Sequence, residues 1–401
     1  MFIVVHLFSG QVKASNNSMQ TKLPETQGNF FWEMKKLAIE HEAIDMSVGV
    51  TEFACPPKLA ALAASFIHEN YNNYERFEGI LPLRQRIAET IFRQYGKKYD
   101  PETEITICAG PTQASSIAIT TLVNEGDEVI IPDPSYFTYS QAVKLNGGTP
   151  VHLPLREPGF RIDWDDVRKM INSKTRLIIL NTPHNPTGSV FGKDDLTQLQ
   201  RLTNGTGIFI ISDEGFEHLV YDQEKHQSIA QFNNLANRSF IISSAGTLFH
   251  INGWNIAWCC APRNMMEEFR KVNECYGFSV STPLQYALSE YWENAEDSES
   301  ITELYQGKRN YFNRLLKGSP FSLEPSQGSY FQLISYKNLS KEPDTDFARR
   351  LIAEAGVAAM PLSLFMHKKR NLQYLRFCFA KKNETLDLAA KRLLQFAAKV
   401  G

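Results

Sequence analysis

The sequence predicts an α/β protein: a mostly parallel sheet sandwiched by helices, with a smaller α+β domain completed by the C-terminal part of the chain. Two observations carry this expectation. Seven short runs, at 105–108, 129–131, 151–155, 176–180, 208–212, 240–243 and 256–260, are apolar at successive rather than alternate positions, as strands buried on both faces must be. Helical or turn segments separate them, and that alternation builds parallel sheets between helical layers. After residue 265 the pattern changes to helices over 265–276, 283–292 and 300–316, then strand-like runs at 330–336 and 374–379 with helices at 344–355 and 385–397. The length of 401 residues also exceeds one average domain of roughly 150 residues.

Taken in order, residues 1–29 read as an arm. They hold the polar run Lys13-Ala14-Ser15-Asn16-Asn17-Ser18 and no sustained periodicity, so the arm either frays or docks on a partner. A first helix is expected over 31–41, with Met34, Leu37 and Ala38 near the required spacing. In 44–53, Ser47-Val48-Gly49 puts a glycine where backbone turns sharply or comes close to something; on this segment alone a simple turn is the plainer reading. Helices over 57–71 and 81–95 flank a polar loop, Asn72 through Gly79, that contains Tyr74 and Phe77. Loops of that kind carry function more often than cores do. The acidic stretch 293–299 reads as a solvated connector. The expected division is an arm at 1–29, a large α/β domain at 51–285, and a small α+β domain from 30–50 plus 286–401.

Composition excludes several classes of partner. With 42 basic against 44 acidic side chains, for a formal charge of -2, nothing attracts nucleic acid or anionic lipid over long range. The six cysteines show no C-x-x-C pair and mostly lie in apolar runs, which predicts buried free thiols in a reducing compartment and no metal site. The first eight residues are apolar but short, are interrupted by His6 and lack a basic leader. No later run approaches the length of a membrane span, and a cytoplasmic location is expected.

Ligands of such sheets collect at the carboxyl ends of the strands. After the first strand come Gly110-Pro111-Thr112-Gln113, opening a helix whose N-terminal amides suit a phosphate. After the second come Asp133-Pro134-Ser135-Tyr136, with an aromatic able to stack on a planar ring. After the fourth, Asn181-Thr182-Pro183-His184-Asn185-Pro186-Thr187-Gly188 forms a rigid loop presenting the Asn185 amide. After the fifth comes Asp213, a carboxylate ending an apolar strand, which needs a partner because burying it alone costs several kcal/mol. Pyridoxal phosphate explains all four. It needs a phosphate cup, a stacking aromatic, a donor to its phenolic oxygen, and a carboxylate that keeps its pyridine nitrogen protonated.

These ordered motifs, together with Ser212-Asp213-Glu214, Ser243-Ser244, His250 with Gly253-Trp254, Gly328-Ser329-Tyr330-Phe331 and Leu375-Arg376-Phe377, resemble those of the class I/II aminotransferases of the aspartate aminotransferase fold. The likeness covers about 21–396 and is strongest to the methionine and kynurenine aminotransferases. The resemblance implies that Tyr136 stacks on the cofactor ring, Asn185 bonds the phenolic oxygen and Asp213 pairs with the ring nitrogen. It also implies that Ser244 helps hold the phosphate, beside the cup of Gly110, Pro111 and Thr112, and that Tyr74 reaches the phosphate of a neighbouring subunit in a homodimer. Arg376 would clamp the α-carboxylate of an amino acid or 2-oxo acid, its planar fork matching the planar anion, with Gly49 and Asn185 closing that side.

The chain departs from the family where the cofactor is anchored. Thr247 stands at the Schiff-base lysine position, and no lysine lies between Lys225 and Lys271. Asn255 replaces a phosphate-binding basic residue, Phe216 a tyrosine whose hydroxyl meets the phenolic oxygen, and Pro111 has no N–H to donate. Lysine both holds the cofactor and shuttles the proton in transamination; threonine does neither at neutral pH. The expectation is a degenerate, non-transaminating family member whose pyridoxal phosphate is non-covalent, weakened or lost. An active transaminase with an unusual proton shuttle, and an inactive partner of an aminotransferase, are the alternatives. The sequence does not say whether His184 or His250 faces the cleft.

Overall fold

The computed structural model describes residues 21–23, 28–293, 299–368 and 370–400. The arm expected over 1–29 and the acidic connector expected over 293–299 lie almost entirely outside these residues.

Each apolar run becomes a strand because its two faces are both covered. The first helix, α1 (Gly28–Glu40), leads into β1 (Ile44–Asp45), α2 (Pro57–His68) and α3 (Leu81–Tyr95). There follow β2 (Ile105–Ala109), α4 (Pro111–Leu122), β3 (Glu128–Asp133), α5 (Thr138–Leu145), β4 (Thr149–Pro154), α6 (Trp164–Met170), β5 (Thr175–Asn181), α7 (Lys193–Thr203) and β6 (Phe209–Asp213). Next come α8 (Asn233–Ala236), β7 (Ser239–Ser244), α9 (Ala245–Leu248), β8 (Ile256–Cys260), α10 (Arg263–Tyr276), α11 (Thr282–Glu293) and α12 (Glu299–Leu315). The chain closes with β9 (Phe331–Ser335), α13 (Asp344–Arg350), β10 (Val357–Ala358), β11 (Met360–Pro361), β12 (Tyr374–Cys378) and α14 (Asn383–Val400).

A seven-stranded sheet runs in the order β2-β8-β7-β6-β5-β3-β4, parallel except for β8, which is antiparallel to both neighbours. Side chains alternate across it with period two. Val129, Ile131, Leu177, Ile179, Ile211, Phe240 and Ile242 pack on one face with α4, α5 and α10. Ile130, Ile178, Leu180, Ile210 and Ile241 pack on the other face, in a core continuous with the smaller α+β subdomain. That subdomain holds the antiparallel sheet β11-β12-β9 and the parallel pair β1-β10. Pairing of Ile44 with Val357 draws the segment after α1 against the C-terminal part of the chain, so Ser47-Val48-Gly49 lies beside β12.

Two helix boundaries and the burial of two cysteines differ from expectation for visible reasons. The helix expected over 57–71 stops at His68, and Asn70 then takes a left-handed φ of 70°. The helix expected over 344–355 becomes α13 followed by a π-helical turn, Leu351–Ala355, ended by Gly356 at φ 63°. Of the six cysteines, all free, Cys275 is exposed and Cys55 half-buried, because neither lies in a sheet strand. Among the described residues, no helix is long and apolar enough to cross a membrane.

Candidate functional site

A cleft of about 340 Å³ opens where the carboxyl ends of β3, β5 and β6 meet β12. It is lined by Gly49, Pro111, Thr112, Tyr136, Asn185, Asp213, Phe216 and Arg376, all singled out from the sequence, and by Phe31, Val48, Asn181, Tyr139, Tyr330 and Phe331 among others.

One end is built around Arg376. β12 carries it inward, and it is 2% exposed. Its guanidinium donates to Asn185 Oδ1 at 2.7 Å and to the Ser47 carbonyl at 2.8 Å. The rings of Phe331 and Phe365 lie 3.9 and 4.6 Å from its Cζ, an arrangement that fixes the plane of the fork. Among the described residues its Nε has no partner and no carboxylate forms an ion pair with it. Burial accordingly pulls its pKa down to about 10. Gly49 is required here: a Cβ would stand 2.9 Å from Phe331 Cζ, and its carbonyl accepts the Tyr330 hydroxyl at 3.0 Å.

The other end is Asp213. Its Oδ2 accepts the Tyr139 hydroxyl at 2.5 Å and its Oδ1 the Gly215 N–H at 3.1 Å. Burial raises its pKa, against the lowering effect of the Tyr139 and Gly215 hydrogen bonds. Asn181 ties this end to the loop above it, donating to the Asp213 carbonyl and accepting from the Asn185 N–H. Between the ends the walls are aromatic. Phe216 meets Tyr330 edge-on with centroids 5.0 Å apart, and Tyr136 lies beside Phe137 at 5.0 Å.

Behind Asp213, the next carboxylates are buried in a hydrogen-bond network. Glu214 Oε1 accepts from Ser212 and the Ile229 N–H, and Oε2 contacts His226 Nε2 at 2.9 Å. Glu217 accepts from Tyr95 and Ser243. Glu214, Glu217 and His226 bring possible ligand atoms within 4.8 Å of one another, but each carboxylate oxygen already has a partner. The group holds the end of β6 in place.

The expected anchors of a phosphorylated cofactor are arranged otherwise. Thr247 is buried in α9 and donates to the Gly215 carbonyl at 2.9 Å. The Ser244 hydroxyl caps α9, accepting from the Gly246 N–H, and donates to the Ile256 carbonyl. Asn255 donates to the Ala109 carbonyl at 2.9 Å and covers Gly110, where a Cβ would fall 1.9 Å from Asn255 Oδ1. Pro111 is the first residue of α4, a position that proline fits well but that leaves one amide fewer. None of Thr247, Ser244, Asn255 and Tyr74 lines the cleft; Tyr74 is 82% exposed and packs on Phe278. Among the described residues lining the cleft, Arg376 is the single lysine or arginine. The ring contacts expected for pyridoxal phosphate are thus brought together, whereas a covalent anchor and a cationic phosphate site are not, and these residues do not fit the cofactor held in the family's way. Gly110→Ala is expected to lower stability by about 2 kcal/mol or more, since it adds the Asn255 clash to the strain of φ 86°; chemical denaturation measures it.

Neither histidine left open by the sequence faces the cleft. His250 stacks on Tyr305. His184 is buried with Nδ1 on Thr187 Oγ1 at 2.7 Å, and desolvation holds its pKa down at about 3. An imidazole kept neutral by the fold contributes stability that is fully present above its unfolded value near 6.5 and is lost as pH falls toward 3. His184→Gln should therefore flatten the fall of the denaturation midpoint across that window.

Residues of the site that escaped the sequence include Tyr139, Tyr330 and Phe331. Tyr139 lies in the first turn of α5, three positions after Tyr136, which precedes the helix, and the two ring centroids stand 6.3 Å apart. Tyr330 and Phe331 stood inside a motif already noted but were not assigned to the cleft.

A family model for aminotransferase class I and II matches residues 41–393. The chain is 38% identical over 384 residues to the methionine aminotransferase of Escherichia coli (strain K12), covering 95% of this chain and all of that protein. It is 31% identical over 396 residues to kynurenine–oxoglutarate transaminase 3 of Bos taurus, covering 90% of this chain and 86% of that one. A crystal structure from Escherichia coli described by a methionine aminotransferase function superposes with a TM-score of 0.91 over 94% of this chain and 99% of that one, at 38% identity.

Proposed function

Since the chain belongs to the class I and II aminotransferases, a family that works with pyridoxal phosphate, we propose that it is a non-transaminating member whose cleft binds an amino acid or 2-oxo acid. Arg376 supports this reading: it is a buried guanidinium with no carboxylate partner among the described residues. A lone cation is an expensive thing to bury, and an anion in the cleft supplies what it lacks. Arg376 would hold the ligand's carboxylate, Asn185 would steady the fork through its Oδ1, and Gly49 would leave room above Phe331. The relatives named for methionine and kynurenine support the amino acid and 2-oxo acid class.

No proton transfer is assigned, because the group that would perform it is absent: Thr247 is neutral and its hydroxyl is committed to Gly215. The losses at Phe216, Asn255 and Pro111 support weakened or abolished cofactor retention. A second reading, an active transaminase with another proton shuttle, draws support from the surviving Tyr136, Asn185 and Asp213. The two separate when purified protein is incubated with pyridoxal phosphate, reduced with borohydride and mapped by mass spectrometry. No pyridoxyl-lysine in the cleft and no amino-group transfer are expected; a modified lysine there with turnover would sink the proposal. A homodimer is proposed from the family, with the exposed Tyr74 and Phe278 pair as a surface suited to it.

A further inference from the structure

Arg376 and Asp213 line the same cleft from different sheets, on β12 and at the end of β6. A short aliphatic 2-oxo acid seated on Arg376 would satisfy one and leave the other facing apolar walls. Asp213 has acceptor capacity to spare: Tyr139 and the Gly215 N–H take one direction on each oxygen, and an ionised carboxylate offers about four. Tyr136, Phe216, Tyr330 and Phe331 line the space between, and present ring faces and edges suited to a flat molecule. At the phosphate end, where Pro111 and Thr112 line the cleft, Asn255 is bonded to Ala109 and no lysine or arginine besides Arg376 is among the described lining residues.

Resting on the reading that Arg376 binds a carboxylate, we propose that the ligand is a planar, non-phosphorylated heteroaromatic carboxylic acid with a ring N–H. Its carboxylate sits on the Arg376 fork, its ring lies along Tyr136 and its N–H is donated to Asp213. One molecule thereby spans the two charged ends of the cleft. The cavity of about 340 Å³ falls within the range that encloses such ligands. The N–H is the specificity determinant, since a ring without it leaves the Asp213 acceptor desolvated and unpaired, a loss that sites built for a donor discriminate strongly against.

The test is calorimetric titration of the full chain, without added cofactor, using indole-3-propionate, its benzothiophene isostere, 3-methylindole and pyruvate. The proposal expects indole-3-propionate to bind at least about tenfold more tightly than the isostere, and more tightly than 3-methylindole, which has no carboxylate. Asp213→Leu should erase the preference over the isostere while retaining binding. Equal affinities for indole-3-propionate and the isostere in the wild-type protein would overturn the proposal whether or not the variant folds. Binding of pyruvate without binding of either aromatic acid would also overturn it, leaving the carboxylate reading intact. Failure of all three acids to bind would remove that reading and the proposal with it.

Discussion

Arg376→Ala should lower the affinity of the cleft for a 2-oxo acid by about 100-fold or more, the scale of removing one partner from a buried, hydrogen-bonded charge pair. Arg376→Lys should lose about tenfold or more, because an ammonium keeps the charge but not the two-pronged fit. Loss of affinity is separable from loss of fold. The depressed pKa of the guanidinium means that its contribution to stability is lost as pH falls from its ordinary range to about 10 and is absent at every lower pH. Removing the cation therefore relieves a desolvation penalty, even as it leaves the Asn185 and Ser47 oxygens without a donor. The melting temperatures of the variants, taken with and without ligand, distinguish the outcomes: the shift produced by ligand should shrink in both. An undiminished shift in Arg376→Ala would show that the carboxylate is held elsewhere.

The second large effect concerns the missing lysine. Thr247→Lys alone should yield little or no transamination. Thr247 points its hydroxyl at Gly215 from within α9, so a longer, charged side chain must displace that contact. Even then the phosphate end would lack a cation at 255 and an amide at 111, and the ring would lack a hydroxyl at 216. Restoring all four positions together, as Thr247→Lys, Asn255→Arg, Phe216→Tyr and Pro111→Ala, should bring back pyridoxal phosphate absorbance and turnover at least about 100-fold above the single variant, because groups acting as a unit are strongly non-additive. Strong turnover from Thr247→Lys alone would show that the other three losses are incidental.

Most of the large sheet was legible in the sequence because its strands are buried on both faces and so carry long apolar runs that surface strands lack. The residues at their carboxyl ends followed from the fold alone, and Asp213, Asn185 and Tyr136 do line one cleft. Other features depend on packing between distant segments. Phe365 lies under Arg376 because the segment after β11 crosses the end of β3, where the Ser135 N–H donates to the Phe365 carbonyl. No local pattern announces such a contact. The Tyr139 bond to Asp213 joins residues far apart in the chain, so only the fold brings them together. Thr247 shows the opposite case. Its identity was plain in the sequence, while its inward-bonded placement beside Gly215 required coordinates.

The cleft is expected to recognise a carboxylate without a covalently held cofactor. Titration of cofactor-free protein with a series of 2-oxo acids, followed by calorimetry, tests this most directly. Saturable binding at one site per chain, abolished by Arg376→Ala and unaffected by removing every trace of pyridoxal phosphate, is the expected result. Binding that appears only after pyridoxal phosphate is supplied, and that is lost when a modified lysine is blocked, would contradict it.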